Sequence, residues 1–386
     1  MQVLHQLVEE AKATAQNTHH FSPEEEAARQ LQICNACRYC ESFCAVFPAM
    51  TRRLSFAPSD VHYMANLCHN CGACLHACQY APPHDFGVNI PQVMAQVRVK
   101  TYERFAWPQF MGKTYAQNGL WLAFCLFLAL TVFIKLIVMD SQSSPNANQF
   151  YQLMDHSTMV KLFAPVFLFD IVALSLGLLG FQGYLSAATT SKPASALEFA
   201  EATHNAATLK YLDGGHQEGC NNADDAFTLY RRRMHHLTFY GFLLCFASTS
   251  VATLDHYLLG FEAPYGLNTL PKILGVTGGI SLLFGAIGLG YLNLTRHKDH
   301  GDLKQKPMDL GFIALLILVS STGLLLWLGG QSQALPILLA SHLASVMALF
   351  LTLPYGKFAH GIYRAAALIR FSVEKRLPST IVLKED

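Results

Sequence analysis

Charge is scarce in this chain. Asp, Glu, Lys and Arg make up 14% of its 386 residues, against about 25% in ordinary soluble domains. The balance is even, 27 basic to 26 acidic, so no basic excess points to nucleic acid, and none is expected as a partner. Residues 1–20 hold no continuous apolar run, so no secretory signal is expected and the thiols should stay reduced, which favours metal ligation over disulfides. No G-x-G-x-x-G follows a strand and no P-loop occurs, so the chain offers no evident site for flavin, nicotinamide or ATP. What is abundant is apolar: 52% hydrophobic residues and a mean hydropathy of +0.27. That excludes a disordered chain and argues against a wholly soluble one. The 17 His and 11 Cys are many for such a chain, and both types ligate metals.

Composition changes near residue 112. Before it the chain is polar and Cys-rich. After it come six apolar runs, near 119–139, 162–185, 237–259, 271–292, 309–330 and 335–355, each close to the ~20 residues a membrane-spanning helix needs. The reading is therefore a domain over 1–112 and a six-span membrane domain over 113–386, with a long loop at 186–234. Lys and Arg fall in alternate loops: Lys192, Lys210 and Arg231–Arg233; Arg296, Lys298, Lys304 and Lys306; then Lys357, Arg364, Arg370, Lys375 and Arg376. Loops 140–160, 260–270 and 331–334 have none. The positive loops share the side of the Cys-rich domain, so both termini are expected in the cytoplasm of a bacterial inner membrane.

Within the spans, Gly177, Gly180 and Gly183, and Gly278, Gly285 and Gly288, read as close helix-packing faces. Lys135 and Asp170 fall at similar depths toward the outer face, as an ion pair or with Lys135 snorkelling, a proton route being the alternative. In the loop, Ser195 with Glu198 forms a capping box that opens an amphipathic helix over Ser195–Leu212, suited to the membrane surface or a partner. His204, His216 and Cys220 lie there at irregular spacing and read as solvated, as do His297 and His300 in the next cytoplasmic loop.

Eight of the cysteines form two runs, Cys34, Cys37, Cys40, Cys44 and Cys68, Cys71, Cys74, Cys78. Both are C-x2-C-x2-C-x3-C. In this spacing three thiolates grip one cubane and the fourth reaches a second cluster. Two [4Fe–4S] clusters follow, one on Cys34, Cys37, Cys40 and Cys78 and the other on Cys68, Cys71, Cys74 and Cys44. Structural zinc sites use separated pairs instead. Ala45 and Gln79 stand where proline usually follows the fourth Cys, which puts local backbone shape in question and not ligation. Ser22, Pro23 and Glu24–Glu26 open one helix and Ser59–Asp60 another, so the domain resembles the α-helical ferredoxin fold.

Histidines mark the span ends. His235 and His236 start the third span and His256 ends it; His342 starts the sixth and His360 ends it. His236 to His256 is 20 residues, about 30 Å of helix, and His342 to His360 is 18, about 27 Å. Both distances roughly match the ~30 Å hydrocarbon layer. The loop charges run the two spans in opposite directions, so two axial pairs are expected for b-type haem: His360 with His235 or His236, and His256 with His342. Asp255 is a candidate to orient an outer ligand, and Arg231–Arg233 to pair with haem propionates.

This order of parts, with Arg231-Arg232-Arg233-Met234-His235-His236-Leu237-Thr238-Phe239-Tyr240-Gly241 and Leu353-Pro354-Tyr355-Gly356-Lys357-Phe358-Ala359-His360, resembles the tricarballylate/citrate-utilisation protein B family over nearly the whole chain. The sixth span is also similar to the haem-b span of the nitrate reductase gamma subunit. The resemblance implies a protein that reoxidises the flavin of a partner tricarballylate dehydrogenase, a soluble FAD-dependent enzyme, and passes electrons through clusters and haem to membrane quinone. The residues reach the same class alone: an all-α electron conduit, an α-helical ferredoxin-like two-cluster domain fused to a six-helix transmembrane haem-b bundle in the lipid bilayer. It is not itself the dehydrogenase. The rivals are the same conduit run from quinol to a soluble reductase, a tricarboxylate transporter, for which no repeat is visible, and a redox sensor, for which the tail after His360 is too short to form an output domain.

Overall fold

A computed structural model describes residues 21–141, 153–186, 192–215, 217–261 and 263–378. Residues 1–20, His216 and most of the loop at 140–160 lie outside the described residues. Among the described residues the chain is helical, with one isolated antiparallel bridge, Cys220 to Thr228.

Five helices precede the membrane: α1 (Pro23–Cys37), α2 (Val46–Met50), α3 (Pro58–Leu67), α4 (Ala73–His76) and α5 (Ile90–Phe105). Ser22 Oγ accepts from Glu25 N–H at 3.3 Å while the Glu25 carboxylate accepts from Ser22 N–H at 2.8 Å, the reciprocal cap its sequence calls for. α3 begins at Pro58, and the Asp60 carboxylate accepts the Ala57 N–H.

Six helices are long and apolar enough to cross a membrane: Gln109–Val138, His156–Ser186, Tyr230–Leu259, Leu270–Thr295, Leu303–Gly329 and Leu335–Thr352. They correspond to α6 (Gln109–Ser141), α7 (His156–Ser186), α9 (Tyr230–Leu254, continued by a π-helical turn over Asp255–Leu259), α10 (Leu270–Thr295), α11 (Lys306–Gly329) and α12 (Leu335–Thr352). Between them α8 (Ala196–Ala207) lies in the long loop, and α13 (Ala359–Glu374) follows the last span. α9 and α10 interlock through glycines. A Cβ on Gly285 would sit 2.5 Å from Thr238 N, and one on Gly278 2.8 Å from Cys245 N. Gly177 likewise abuts the Phe105 carbonyl, but Gly183 faces open space, so the expected glycine face on α7 stops short of it.

The composition break at 112 is not a break in packing. Leu31, Met50, Tyr63, Met64 and Met94 share one core with Phe181 and Leu185 at the end of α7 and with Tyr363 and Phe371 of α13. Arg53 joins the parts electrostatically, pairing with Asp60 and with Glu374 at 2.7 Å each. α8 is neither on its own nor free: its Glu201 pairs with Lys375 and Arg376 after α13.

Because the last turns of α7 enter this shared core, Asp170 lies toward the end of the bundle that carries the Cys-rich domain. Asp170 is 3% exposed and lies beside Tyr355, whose hydroxyl donates to the Trp107 carbonyl at the start of the first span. Lys135 is exposed, next to Ile134 and Val138, which pack on Leu335 and Leu339 at the opposite face. The expected Lys135–Asp170 pair does not form; the two residues lie toward opposite ends of the bundle.

Candidate metal centres

The cysteines segregate into two groups, and each run contributes to both. Cys34 and Cys37 occupy the last turn of α1, which Arg38 closes in the left-handed conformation (φ 56°), its N–H donating to the Cys34 carbonyl at 2.8 Å. Burial pushes the Cys34 and Cys40 thiols up to about 12, and the negative charge of Cys78 and of their own run adds to it. Cys78 thus arrives from the second run. Gln79, standing in the usual proline position, donates from Nε2 to Cys37 Sγ at 3.9 Å. This group is near the surface: Tyr39, between two of its cysteines, is 69% exposed.

The other group is Cys44, Cys68, Cys71 and Cys74, which together line one cavity with Phe43, Phe47, Ile90 and Tyr211. Cys44 comes from the first run. Its thiol is pushed well up by burial and then by Cys68 and Cys71. Gly72 holds φ +85°, and a Cβ there would meet the His300 ring at 3.2 Å. The Asn70 N–H donates to Cys68 Sγ at 3.4 Å.

Among the described residues no three Cys, His, Asp or Glu side chains converge on a single ion. Four thiols on four corners of a cubane do not need to, because each binds a different iron. Each four-thiol grouping supplies the donor set that one such cluster takes.

Cations crowd the second group. Arg98 donates to the Cys68 carbonyl at 2.5 Å and Arg364 to the same oxygen at 2.8 Å. Arg231 and Arg296 both donate to the Asn70 carbonyl, at 2.9 and 2.7 Å. Burial, then repulsion from Arg231 and Arg98, pulls Arg296 down to about 9. Burial and Arg98 pull Arg364 down to about 10. Cys220, pinned by the bridge to Thr228, packs against Cys71 and donates its S–H to the Leu212 carbonyl at 3.8 Å. Cys220 and His300 are each 1% exposed, not solvated as their loops imply. The Arg296 guanidinium also ties the His300 carbonyl at 2.5 Å, folding the 296–305 loop over the cysteines. There His300 Nε2 meets His76 Nε2 at 2.7 Å, and His76 bonds the exposed Asp225.

Of the five span-end histidines, two meet. The His235 and His360 rings lie 6.0 Å apart at 77°. Two metal–imidazole bonds of about 2 Å each, plus the ring half-widths, come to a similar separation, which makes the two rings candidate ligands of one iron. His360 Nδ1 donates to the Lys357 carbonyl, and burial, then Arg364, holds the ring well below its usual pKa and hence neutral, the ligating form. His236 turns instead toward Tyr240. The outer pair is not assembled. His256, carried by the π-helical turn, stacks on His156 of α7 at 3.9 Å, while His342 Nδ1 contacts Thr322 Oγ1 at 3.2 Å and its ring covers Gly323. Arg231 is engaged by Asn70 and Asn222, and Arg232 by the Thr208 carbonyl and Asp213.

Two family models match the chain: Citrate utilization protein B over residues 113–380, and the Citrate utilization protein B Fer4-like domain over residues 27–104. The chain is also 53% identical over 380 residues, 97% of each, to the Citrate utilization protein B of Escherichia coli. It belongs to the citrate utilization protein B family. No solved structure matches it. As a family member with a Fer4-like domain on six candidate spans, it is a multi-pass membrane protein of iron–sulfur electron transfer.

For this member of the family, sequence reasoning missed Arg98, Arg296, Arg364, Cys220, His69 and His300. His69 sits between two cysteines of the second run, its Nδ1 on the Leu67 carbonyl, with His235 close enough to perturb it. That position was a readable signal. The three arginines, from three separated segments, carry no spacing that marks them as a group.

Proposed function

We propose that this protein reoxidises the reduced flavin of a soluble FAD-dependent dehydrogenase acting on a tricarboxylate such as tricarballylate, and delivers the electrons to membrane quinone. Bound clusters and haem supply the one-electron carriers. The residues do the rest. Cys34, Cys37, Cys40 and Cys78 hold the first cluster where a docked partner reaches it, beside exposed Tyr39. Cys44, Cys68, Cys71 and Cys74 hold the second beneath the 208–220 and 296–305 loops. His235 and His360 hold haem b at the inner membrane face. The Cys-rich domain and both termini face the cytoplasm of a bacterial inner membrane, supported by the alternation of Lys and Arg between loops.

One observation carries this reading. Arg364 ties the Cys68 carbonyl at 2.8 Å and lies beside both His235 and His360, so the buried cysteine group and the histidine pair are neighbours across a single side chain. A second haem on His256 and His342 requires the His156–His256 stack to open, and haem quantitation separates one per chain from two. The test of function is reconstitution: the purified chain should reduce a quinone analogue only when a reduced flavoprotein of this class is added. Unaided dehydrogenation of tricarballylate would refute the division of labour.

A further inference from the structure

The two cysteine groups sit in different fields. Around Cys44, Cys68, Cys71 and Cys74 lie Arg98, Arg231, Arg296 and Arg364, all hydrogen-bonded to carbonyls of the 65–70 segment that carries Cys68. Among the described residues none of the four has a carboxylate partner within ion-pair distance. Arg98 is 3% exposed and its Nε has no partner; Arg296 Nε has none either. Four guanidiniums packed this way repel one another and pay for desolvation, a cost that negative charge among them offsets. The surface group has nothing comparable: Arg38 points to solvent, and buried Arg53 is neutralised by Asp60 and Glu374.

We infer that Arg98, Arg231, Arg296 and Arg364 set the second cluster at a higher reduction potential than the first, so that electrons run from the surface toward the membrane. This rests on reading the two cysteine groups as cluster sites. Cluster potential follows net charge, hydrogen bonds to sulfur and solvent exposure. Reduction adds one negative charge. Burial alone opposes it, but unpaired cations in the same low-dielectric shell favour it, and their effect is strengthened by that same burial. The Asn70 N–H on Cys68 Sγ acts in the same sense. In the step itself one electron leaves the first cluster, which is oxidised, and enters the second, which is reduced. No bond forms or breaks and no proton is needed. The electron comes originally from the reduced flavoprotein.

The experiment is an anaerobic redox titration of the full-length protein in lipid nanodiscs, followed by electron paramagnetic resonance, with iron and sulfide counted in the same samples. The wild type should show two resolved cluster midpoints. Arg296→Gln should lower the higher one and leave the other in place, and Arg296→Lys should restore most of the loss. Coincident midpoints in the wild type, which needs no variant to fold, would overturn the inference. So would Arg296→Gln protein that retains both clusters yet shifts neither midpoint, or shifts both. Fewer than two clusters in the wild type would overturn the cluster reading and this inference with it.

Discussion

The surface cysteine group and the buried one have the same four-thiol make-up and are built from the same motif, yet they differ in everything around the sulfurs. The first has exposed Tyr39 and Arg38 and a glutamine on one sulfur. The second has a lined cavity, four buried guanidiniums, a fifth thiol and a histidine pair behind it. A duplicated motif thus yields two non-equivalent stations. The difference comes from chain far away in sequence: the 186–234 loop, the 296–305 loop and α13 all close over the second group.

The largest expected effect tests whether the groups are wired across the two runs. Cys44→Ala should abolish the second cluster's spectroscopic signal and spare the first, and Cys78→Ala should do the reverse. Iron analysis with electron paramagnetic resonance checks it, and loss of the first signal in Cys44→Ala would restore uncrossed wiring. Next, His360→Ala should remove the b-type absorption band that His236→Ala keeps, since His236 faces Tyr240 and not His360.

Two smaller effects probe what joins the regions. Glu374→Ala leaves buried Arg53 and Arg370 without this carboxylate, and breaking such a pair costs about 3 kcal/mol. Chemical denaturation should show the Cys-rich domain loosening while the spans stay helical by circular dichroism. The same network sets an acid limit. Burial alone raises the Glu374 pKa, but hydrogen bonds and charge from Arg53 and Arg370 outweigh it, so the folded value lies below the ordinary 4.5. A depressed carboxyl contributes stability above its unfolded pKa that is lost as pH falls through the folded one. Domain stability should therefore drop below about pH 4.5, and the Glu374→Ala protein should lack that component.

Much of the contrast was legible in sequence, and the residues show why. The cysteine spacings, the six apolar runs and the cap at Ser22 are local signals; the second helix, expected to open at Ser59–Asp60, begins at Pro58. The sequence puts His235 or His236 at the level of His360, and the His235 and His360 rings do lie near each other; the span-length reason for it does not hold, because the sixth span ends at Thr352 and His360 sits on the separate helix α13. The outer pairing was not legible. Level does not fix azimuth, and the π-helical turn at Asp255–Leu259 carries His256 onto His156. Asp170 misled for a related reason: the entry of α7 into the core shared with the Cys-rich domain shifts its depth, which no hydropathy window records. The arginine shell and Cys220 were illegible because their meaning is wholly tertiary.

The central claim is that electrons must pass through the buried cysteine group to reach the histidine pair. The most direct test mixes a reduced flavoprotein dehydrogenase anaerobically with full-length protein in nanodiscs and follows the haem absorption in time. The wild type should show haem reduction, and Cys71→Ala protein that retains haem should show none on that timescale. Haem reduced as fast in Cys71→Ala as in the wild type would contradict the account.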